Sequence, residues 1–590
     1  VSGGGSSFGG AAPAISSTTS SAKAKIAQQA LFANAAFAFA NFREKRPEDV
    51  TAEDVQPVAS LLHHSDEGMV LQAAQSIEKV LKAGNINAIA QSSAVGSFVM
   101  LLSADEASKI SIGLNALDVL SYSPQLQQMI IEQQRALSVL LQLLNHQDMT
   151  LVCGAASTLW GLAAERPDVK QTIVDRPGTL PKLVALLQHQ LVGFVEAGLG
   201  LLCCMAYDLS HCAIVVAEFP GTLGALFKVL ARREEQLVTK AAMVLSRLAE
   251  DQHCALLICH SPGGLELLAQ LLRPVEEEVV ADYHQGAAAA VMLRRRRPKT
   301  MVSTAIDVLR VLSKDGRAAA MVAQATGVVT NLLIMMLQGE AAEESRPAAM
   351  LLVDLAYHPQ AAVFIAAVPE AAKGLMQLTR SADSGMNRLG TLGITLLAAA
   401  DPSVAKQAAL KREVFENWVV RMYHTDPRLV CAAALALQNL GVEGGSDSKM
   451  RIVREPVAMA RTVQLLHHED PQVVRQALGL IASVVKGSGL MGRVFFEEAG
   501  AFNTMISLMG HVDQDVATAA CGLVLPVLTE QPDVLRAAAA EPGTLRNMVS
   551  LLYHKDASQA LAAARALGEL SHQSWSMQLQ VSARTRVIYL

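Results

Sequence analysis

Residues 177–208, PGTLPKLVALLQHQLVGFVEAGLGLLCCMAYD, decide the fold. Pro177-Gly178 ends one helix and turns the chain, because glycine accepts the left-handed backbone conformation without a Cβ penalty. An apolar helix follows and closes on Leu186-Leu187. A polar turn through His189 then separates it from a longer apolar helix. Neither helix can hide its apolar face alone, so the unit demands a neighbour on each side.

Repetition supplies the neighbours. The first residue of the pair that closes the shorter helix recurs as Leu61, Leu101, Leu143, Leu186, Val229, Leu271, Met336, Leu378, Arg421, Leu465, Leu508 and Leu551. Successive spacings are 40 to 44 residues, with one exception of 65 between Leu271 and Met336. Leu378 and Arg421 keep the register without an apolar pair. Such a period, sustained along most of the chain, is the signature of stacked helical repeats.

Each period has the same punctuation. Gly178, Gly221, Gly263, Gly327, Gly500 and Gly543 stand eight or nine residues before the marker, where the preceding helix ends. After the marker comes a His-x-Asp turn at His64–Asp66, His146–Asp148, His424–Asp426, His468–Asp470, His511–Asp513 and His554–Asp556. The aspartate is placed to cap the next helix, and Pro427 and Pro471 fall in its first turn, where a missing N–H costs nothing. Stretches such as VLQAAQSIEKVL (70–81) and VVRQALGLIASVV (473–485) then carry Ala and Leu at helical spacing.

This pattern resembles the armadillo repeat, most closely in RPGTLPKLVALL (176–187) and QLVTKAAMVLSRLA (236–249). The resemblance implies an all-α, right-handed solenoid superhelix of about twelve repeats spanning 50–571. HEAT repeats, with two helices each, are the alternative. The remaining organisation reads as a Gly/Ser/Ala-rich flexible tail over 1–25 and an N-terminal capping helix over 26–49 carrying Phe32, Phe37, Phe39 and Phe42. An insertion at 273–299 projects as a loop, and 572–590 forms a C-terminal tail or cap.

Composition agrees with close-packed helices: 51% of the residues are hydrophobic but only 4% aromatic, and the net charge is −5. That mild charge gives no reason to expect nucleic acid. No apolar run reaches the roughly 18–20 residues of a membrane span. The eight cysteines form no CxxC pair and mostly fall at apolar helix positions, as small buried hydrophobes do. Cys254 and Cys259 with His253 and His260 come closest to a metal site, but their spacing matches no structural-zinc pattern. The turn histidines, one per repeat at roughly 10 Å intervals, are too far apart to share a metal whose ligands lie about 2 Å away. No phosphate loop, nucleophile elbow or zinc-protease motif is found. The expectation is therefore a non-enzyme with no cofactor, no metal and no small-molecule substrate.

Two features are candidates for binding. The insertion carries Glu276–Glu278 and the basic run Arg294, Arg295, Arg296, Arg297 with Lys299. It reads as solvated surface, as a contact for an acidic partner, or as a nuclear-localisation patch. The second is the groove. In the armadillo grooves of importin-α and β-catenin, the third helix offers an Asn to a bound peptide. By register that position is Lys79, Val119, Gly161, Cys204, Arg247, Val311, Asp354, Leu396, Asn439, Ser483, Pro526 and Glu569. Only Asn439 keeps the family residue, and Trp160, Trp418 and Trp575 lie elsewhere.

The expected function is a protein–protein interaction scaffold, a structural subunit of a larger assembly of cytoskeletal or ciliary type. A soluble adaptor or chaperone cofactor with transient clients is the alternative. The partners are proteins, with no membrane span. The expected location is cytoplasmic, or an organelle if the acid-free segment 1–25 is the remnant of a transit peptide.

Overall fold

The computed structural model describes residues 39–40, 42–133, 135–207, 210–273, 275–282, 289–296, 298–338, 342–485, 501–528, 539, 544–553 and 557–573. The expected tail at 1–25, the cap residues Phe32 and Phe37, Gly500, Gly543, His554 and nearly all of 572–590 lie outside them. Phe39 and Phe42 of the expected capping helix are buried, and that segment ends in a single 3-10 turn, Pro47–Asp49.

The chain forms two compact units, Val1–Leu267 and Leu268–Leu590. Each is a stack of three-helix repeats, and the third helix is the longest. We number only these long helices. In the first unit they are α1 Glu67–Lys82, α2 Ala107–Leu120, α3 Met149–Ala163, α4 Val192–Ala206 and α5 Glu235–Leu248, each packed on the next. In the second they are α6 Lys299–Leu312, α7 Ala342–Ala356, α8 Ser384–Ala400, α9 Pro427–Glu443, α10 Pro471–Val485, α11 Gln514–Leu528 and α12 Ala557–Gln573, again packed in sequence. Two short helices precede each full repeat, as Pro167–Asp175 and Thr179–Leu187 precede α4. Three helices per period favour the armadillo pattern over the HEAT one.

Local chemistry explains the joints. Gly178, Gly221, Gly263 and Gly327 all take left-handed φ values, between 74° and 91°, at the start of the second helix. In the next turn the imidazole Nδ1 of His64, His146, His424, His468 and His511 accepts the backbone N–H two residues on, each at 3.0 Å. The aspartate that carries this N–H turns its own carboxylate to the first turn of the third helix. Asp66, Asp148, Asp426, Asp470 and Asp513 accept amide bonds there at 2.9–3.0 Å. Histidine and aspartate thus close the turn together, one holding the aspartate amide and the other satisfying orphan helix donors. His189 does the same for the Leu191 amide at 3.1 Å without an aspartate.

Cations from the following repeat cover the carbonyls left at the turn. Lys182 Nζ donates to His146 O (3.0 Å), Arg232 Nη2 to His189 O (2.6 Å) and Arg461 Nε to Met422 O (2.9 Å). This is the sign of charge that a helix C-terminus favours.

Packing between the second and third helices depends on one small residue. Twelve positions after each marker stand Ala73, Gly113, Ala155, Gly198, Ala241, Ala348, Gly390, Ala433, Ala477, Ala520 and Ala563, and Ala305 takes the place once the insertion is removed; all are buried. At the glycine positions the helices approach closely: a Cβ on Gly113 would lie 3.0 Å from Leu101 Cβ, and one on Gly198 would lie 3.1 Å from Leu186 Cβ. The residues met are the repeat markers themselves.

The insertion differs from expectation. It is not an irregular loop: β1 Val275–Asp282 pairs antiparallel with β2 Ala289–Arg296. The register sets Glu276 across from Arg295 and Glu277 across from Arg294, an order that cross-strand charge pairing favours. The side chains of Arg294–Arg296, and Arg297 altogether, lie outside the described residues. Lys299 opens α6 and is exposed. Elsewhere the described secondary structure is helical.

Candidate functional site

The candidate groove residues follow one another along the C-terminal halves of the third helices, and five of them are already engaged. In the first unit, Lys79 is exposed and Val119 half-buried. Cys204 Sγ points at Trp160 O (3.8 Å). Arg247 pairs with Glu250 (2.9 Å) and lies 4.7 Å over the Tyr207 ring. In the second unit, Val311 is half-buried, Asp354 accepts from Arg310 Nε at 3.2 Å, and Glu569 is exposed. Ser483 is buried, its hydroxyl turned back to Leu480 O at 2.8 Å. Asn439 does not reach outward as a peptide clamp: its amide nitrogen donates to Ala398 O (2.9 Å) and Ala399 O (3.0 Å) at the end of α8. That bond satisfies helix-end carbonyls that would otherwise be orphaned.

Leu396 alone among these residues lines a described cavity, a groove of about 1010 Å³ in the second unit. Its lining mixes apolar side chains, Ala362, Val363, Ala399, Ala432 and Leu435, with the polar Lys314, His358, Asp426, Arg428, Asp470 and Gln472. Tyr357 at the end of α7 donates its hydroxyl to Asp426 Oδ2, while Asp426 Oδ1 holds the Arg428 amide at 2.9 Å. Burial first, and the Asp426 carboxylate second, push the Tyr357 phenol up to about 12. Arg428 lies 5.7 Å over the same ring, and His358 Nε2 bonds Ser313 O at 2.7 Å.

A second cavity, of about 430 Å³, lies in the first unit between α2, α3 and α4. Asp118, Tyr122, Ser157, Trp160, Phe194 and Glu196 are among its lining. Ser157 Oγ donates to Asp118 Oδ1 at 2.8 Å, and burial raises the Asp118 carboxyl. Tyr122 is raised by burial and then by the charges of Asp118 and Glu196. Glu196 is ion-paired with Lys240, whose ammonium sits 5.3 Å over the Trp160 ring.

The tyrosines of these sites carried an unused sequence signal. Tyr122, Tyr207 and Tyr357 each stand 21 residues after a marker, in a chain with only seven tyrosines. That register puts a polar aromatic at the end of a third helix, within reach of the next repeat's charges.

Residues 123–164 match the family model for the armadillo/β-catenin-like repeat. That segment carries an armadillo/β-catenin-like repeat. A search of the curated proteins returns no match. Among solved structures the chain is similar to an engineered protein, at 20% identity and a TM-score of 0.52, over 73% of this chain and 98% of that one. It is also similar to a structure from work on a phosphorylation switch controlling the interaction between cadherin and β-catenin, at 14% identity and a TM-score of 0.63, over 87% and 98%. At these identities the likeness is one of fold. No single described helix is long and apolar enough to cross a membrane.

The helical packing separates the residues nearest to a metal site. Cys254 and Cys259 are buried, His253 Nε2 meets Glu218 at 2.9 Å, and His260 Nδ1 meets Leu256 O at 2.7 Å. No group of three or more potential metal ligands comes together among the described residues. Burial drives the thiols away from reactivity: Cys153, Cys204 and Cys431 rise to about 11, and Cys254 and Cys521 to about 12. The native chain should therefore react with a thiol-specific chromogenic disulfide at pH 7.5 far more slowly than the chain in guanidinium. Rapid native labelling of Cys521 or Cys254, mapped by mass spectrometry, would contradict this burial.

Proposed function

We propose that this chain is a structural subunit of a larger cytoskeletal or ciliary assembly in the cytoplasm, and that it holds a fixed protein partner along its third-helix face. The observation that carries the reading is the engagement of Asn439. The one ladder position that keeps the family asparagine spends its amide on the neighbouring helix. A groove without free ladder amides is poorly equipped to hold an extended peptide by its main chain, so it is neither importin-α-like nor β-catenin-like in mode. The 1010 Å³ groove supports the same reading. A groove lined by both apolar and charged side chains suits a helix or folded surface laid against it.

The test is to purify the endogenous protein and identify by mass spectrometry what co-elutes in about 0.5 M salt, where surface charge pairs are screened to a few ångströms. A stable, stoichiometric partner set is expected. A free monomer would end the structural-subunit reading, and partners that exchange within minutes would favour an adaptor.

A further inference from the structure

One repeat breaks the rule that the others keep, and it does so at a marker. Eleven of the twelve marker positions hold Leu, Val or Met, and all eleven are buried. The twelfth is Arg421. Its guanidinium is half-buried, its Nε is sequestered without a hydrogen-bond partner, and Nη2 reaches only the Thr391 hydroxyl at 3.1 Å. Among the described residues no carboxylate pairs with it, and the charge of a second cation, Arg388, bears on it. Placing an arginine where the fold takes leucine, without a counter-ion, is costly. A local rule broken with no gain inside the fold points to a role outside it.

Arg421 is part of a cluster. The Thr391 hydroxyl that Arg421 reaches stands one helical turn after Arg388 on α8, while Lys411, at the other end of Arg421's helix, donates from Nζ to Met376 O at 2.8 Å beside Arg380. Lys411 is lowered by burial and then by Arg380. Among the described residues none of these four cations makes an ion pair. Two carboxylates are near. Asp383 is spent capping α8 through the Gly385 amide at 2.8 Å, and Glu413 faces Lys411 from a distance. Beside the cations stand exposed apolar side chains: Val420 is 67% and Tyr423 47% exposed, and Arg461 lies 4.6 Å over the Tyr423 ring.

We infer that this cluster, with Arg388 and Arg421 at its centre and Val420 and Tyr423 beside them, docks an acidic protein segment carrying large apolar side chains. The inference rests on the reading of the chain as a protein-binding scaffold and names a second site, at the N-terminal half of α8 instead of the C-terminal halves that carry the groove residues. A protein segment fits better than a nucleic acid. The cluster is short, its rim holds Asp383 and Glu413, and the chain as a whole carries a net charge of −5, which disfavours a long polyanion. Carboxylates from the segment would pair bidentately with the guanidiniums, and its apolar residues would cover Val420 and Tyr423.

The test uses the full chain and a fluorescent dodecapeptide of glutamates with two leucines, read by anisotropy. Its controls are the same peptide with glutamines and a single-stranded oligonucleotide of equal charge. Arg421→Leu restores the repeat's ordinary residue. It should raise the thermal midpoint of the second unit while weakening the glutamate peptide at least about tenfold. Arg388→Ala should weaken the peptide without lowering the midpoint. Replacing Arg294–Arg297 by alanine should leave binding unchanged. Unaltered affinity in Arg421→Leu, equal binding of the glutamine peptide, or a preference for the oligonucleotide would overturn the inference. If the wild-type chain fails to bind the peptide yet still co-elutes with its assembly, this site is wrong and the subunit reading stands.

Discussion

Replacing Gly390 by alanine is expected to destabilise the second unit by about 2 kcal/mol, net of the helix propensity that alanine adds. The added Cβ would stand 2.7 Å from Leu378 Cβ, 2.8 Å from Thr379 N and 2.9 Å from Leu375 O. None of these atoms can rotate away, so relief requires the second helix and α8 to move apart along their whole contact. The other helix-crossing glycines set the scale. Gly113 would meet Leu101 Cβ at 3.0 Å and Phe98 O at 3.2 Å, and Gly198 would meet Leu186 Cβ at 3.1 Å and Leu183 O at 3.5 Å. The order of cost should be Gly390→Ala, then Gly113→Ala, then Gly198→Ala, with the last near neutral. Gly479→Ala should also be mild, because its closest contact is the flexible Gln438 amide oxygen at 2.5 Å. Repeat stacks can unfold in parts, so urea titrations should follow each unit separately. Trp418, fully buried in the second unit, and Trp160 in the first provide the signals. A Gly390→Ala chain as stable as the wild type would mean that the helices do not cross this closely.

The second large effect is expected at Asp426. Its carboxylate caps α9 through the Arg428 amide and accepts the Tyr357 hydroxyl from 69 residues earlier. Asp426→Ala removes both, at about 1 kcal/mol each, so a loss of about 2 kcal/mol is expected in urea unfolding. Asp426→Asn keeps the cap and should cost less. The pH signature separates the two roles. Tyr357 sits at about 12 in the folded chain against an ordinary value of 10.0. A raised value means that folding favours the protonated phenol. Its contribution is complete below pH 10 and is lost as the pH rises from about 10 towards 12. Difference absorbance of tyrosinate, wild type minus Tyr357→Phe, should show one late-titrating phenol. In Asp426→Asn that phenol should titrate earlier. Titration at an unshifted position in the wild-type chain would refute the Tyr357–Asp426 bond.

Much of this molecule could be read from residues near one another in the chain. The period, the left-handed turns at Gly178, Gly221, Gly263 and Gly327, and the histidine–aspartate turns all concern contacts spanning a few residues. Such interactions leave regular marks, because each repeat solves the same local problem with the same side chains. The small residue twelve positions past each marker and the tyrosine 21 past three of them were equally legible, since both are register effects. Arg421 was visible as an exception, although nothing nearby in sequence says what surrounds it.

Other features depended on residues brought together from different repeats. Asn439 occupies the family's ladder position, yet its use is decided by the Ala398 and Ala399 carbonyls some 40 residues away. The insertion was distinct as a break in the period, but its strand pairing depends on the register between two segments whose own composition allows a loop. The partnership of Tyr357 with Asp426 spans a whole repeat and half of the next. By itself, then, the sequence determined the repeat, its punctuation and the armadillo fold, because periodic burial and turn chemistry are local. Only the tertiary structure decided which polar groups are already satisfied and which are left exposed. A donor's freedom depends on every acceptor that the packing brings within 3 Å, and those acceptors lie tens of residues away.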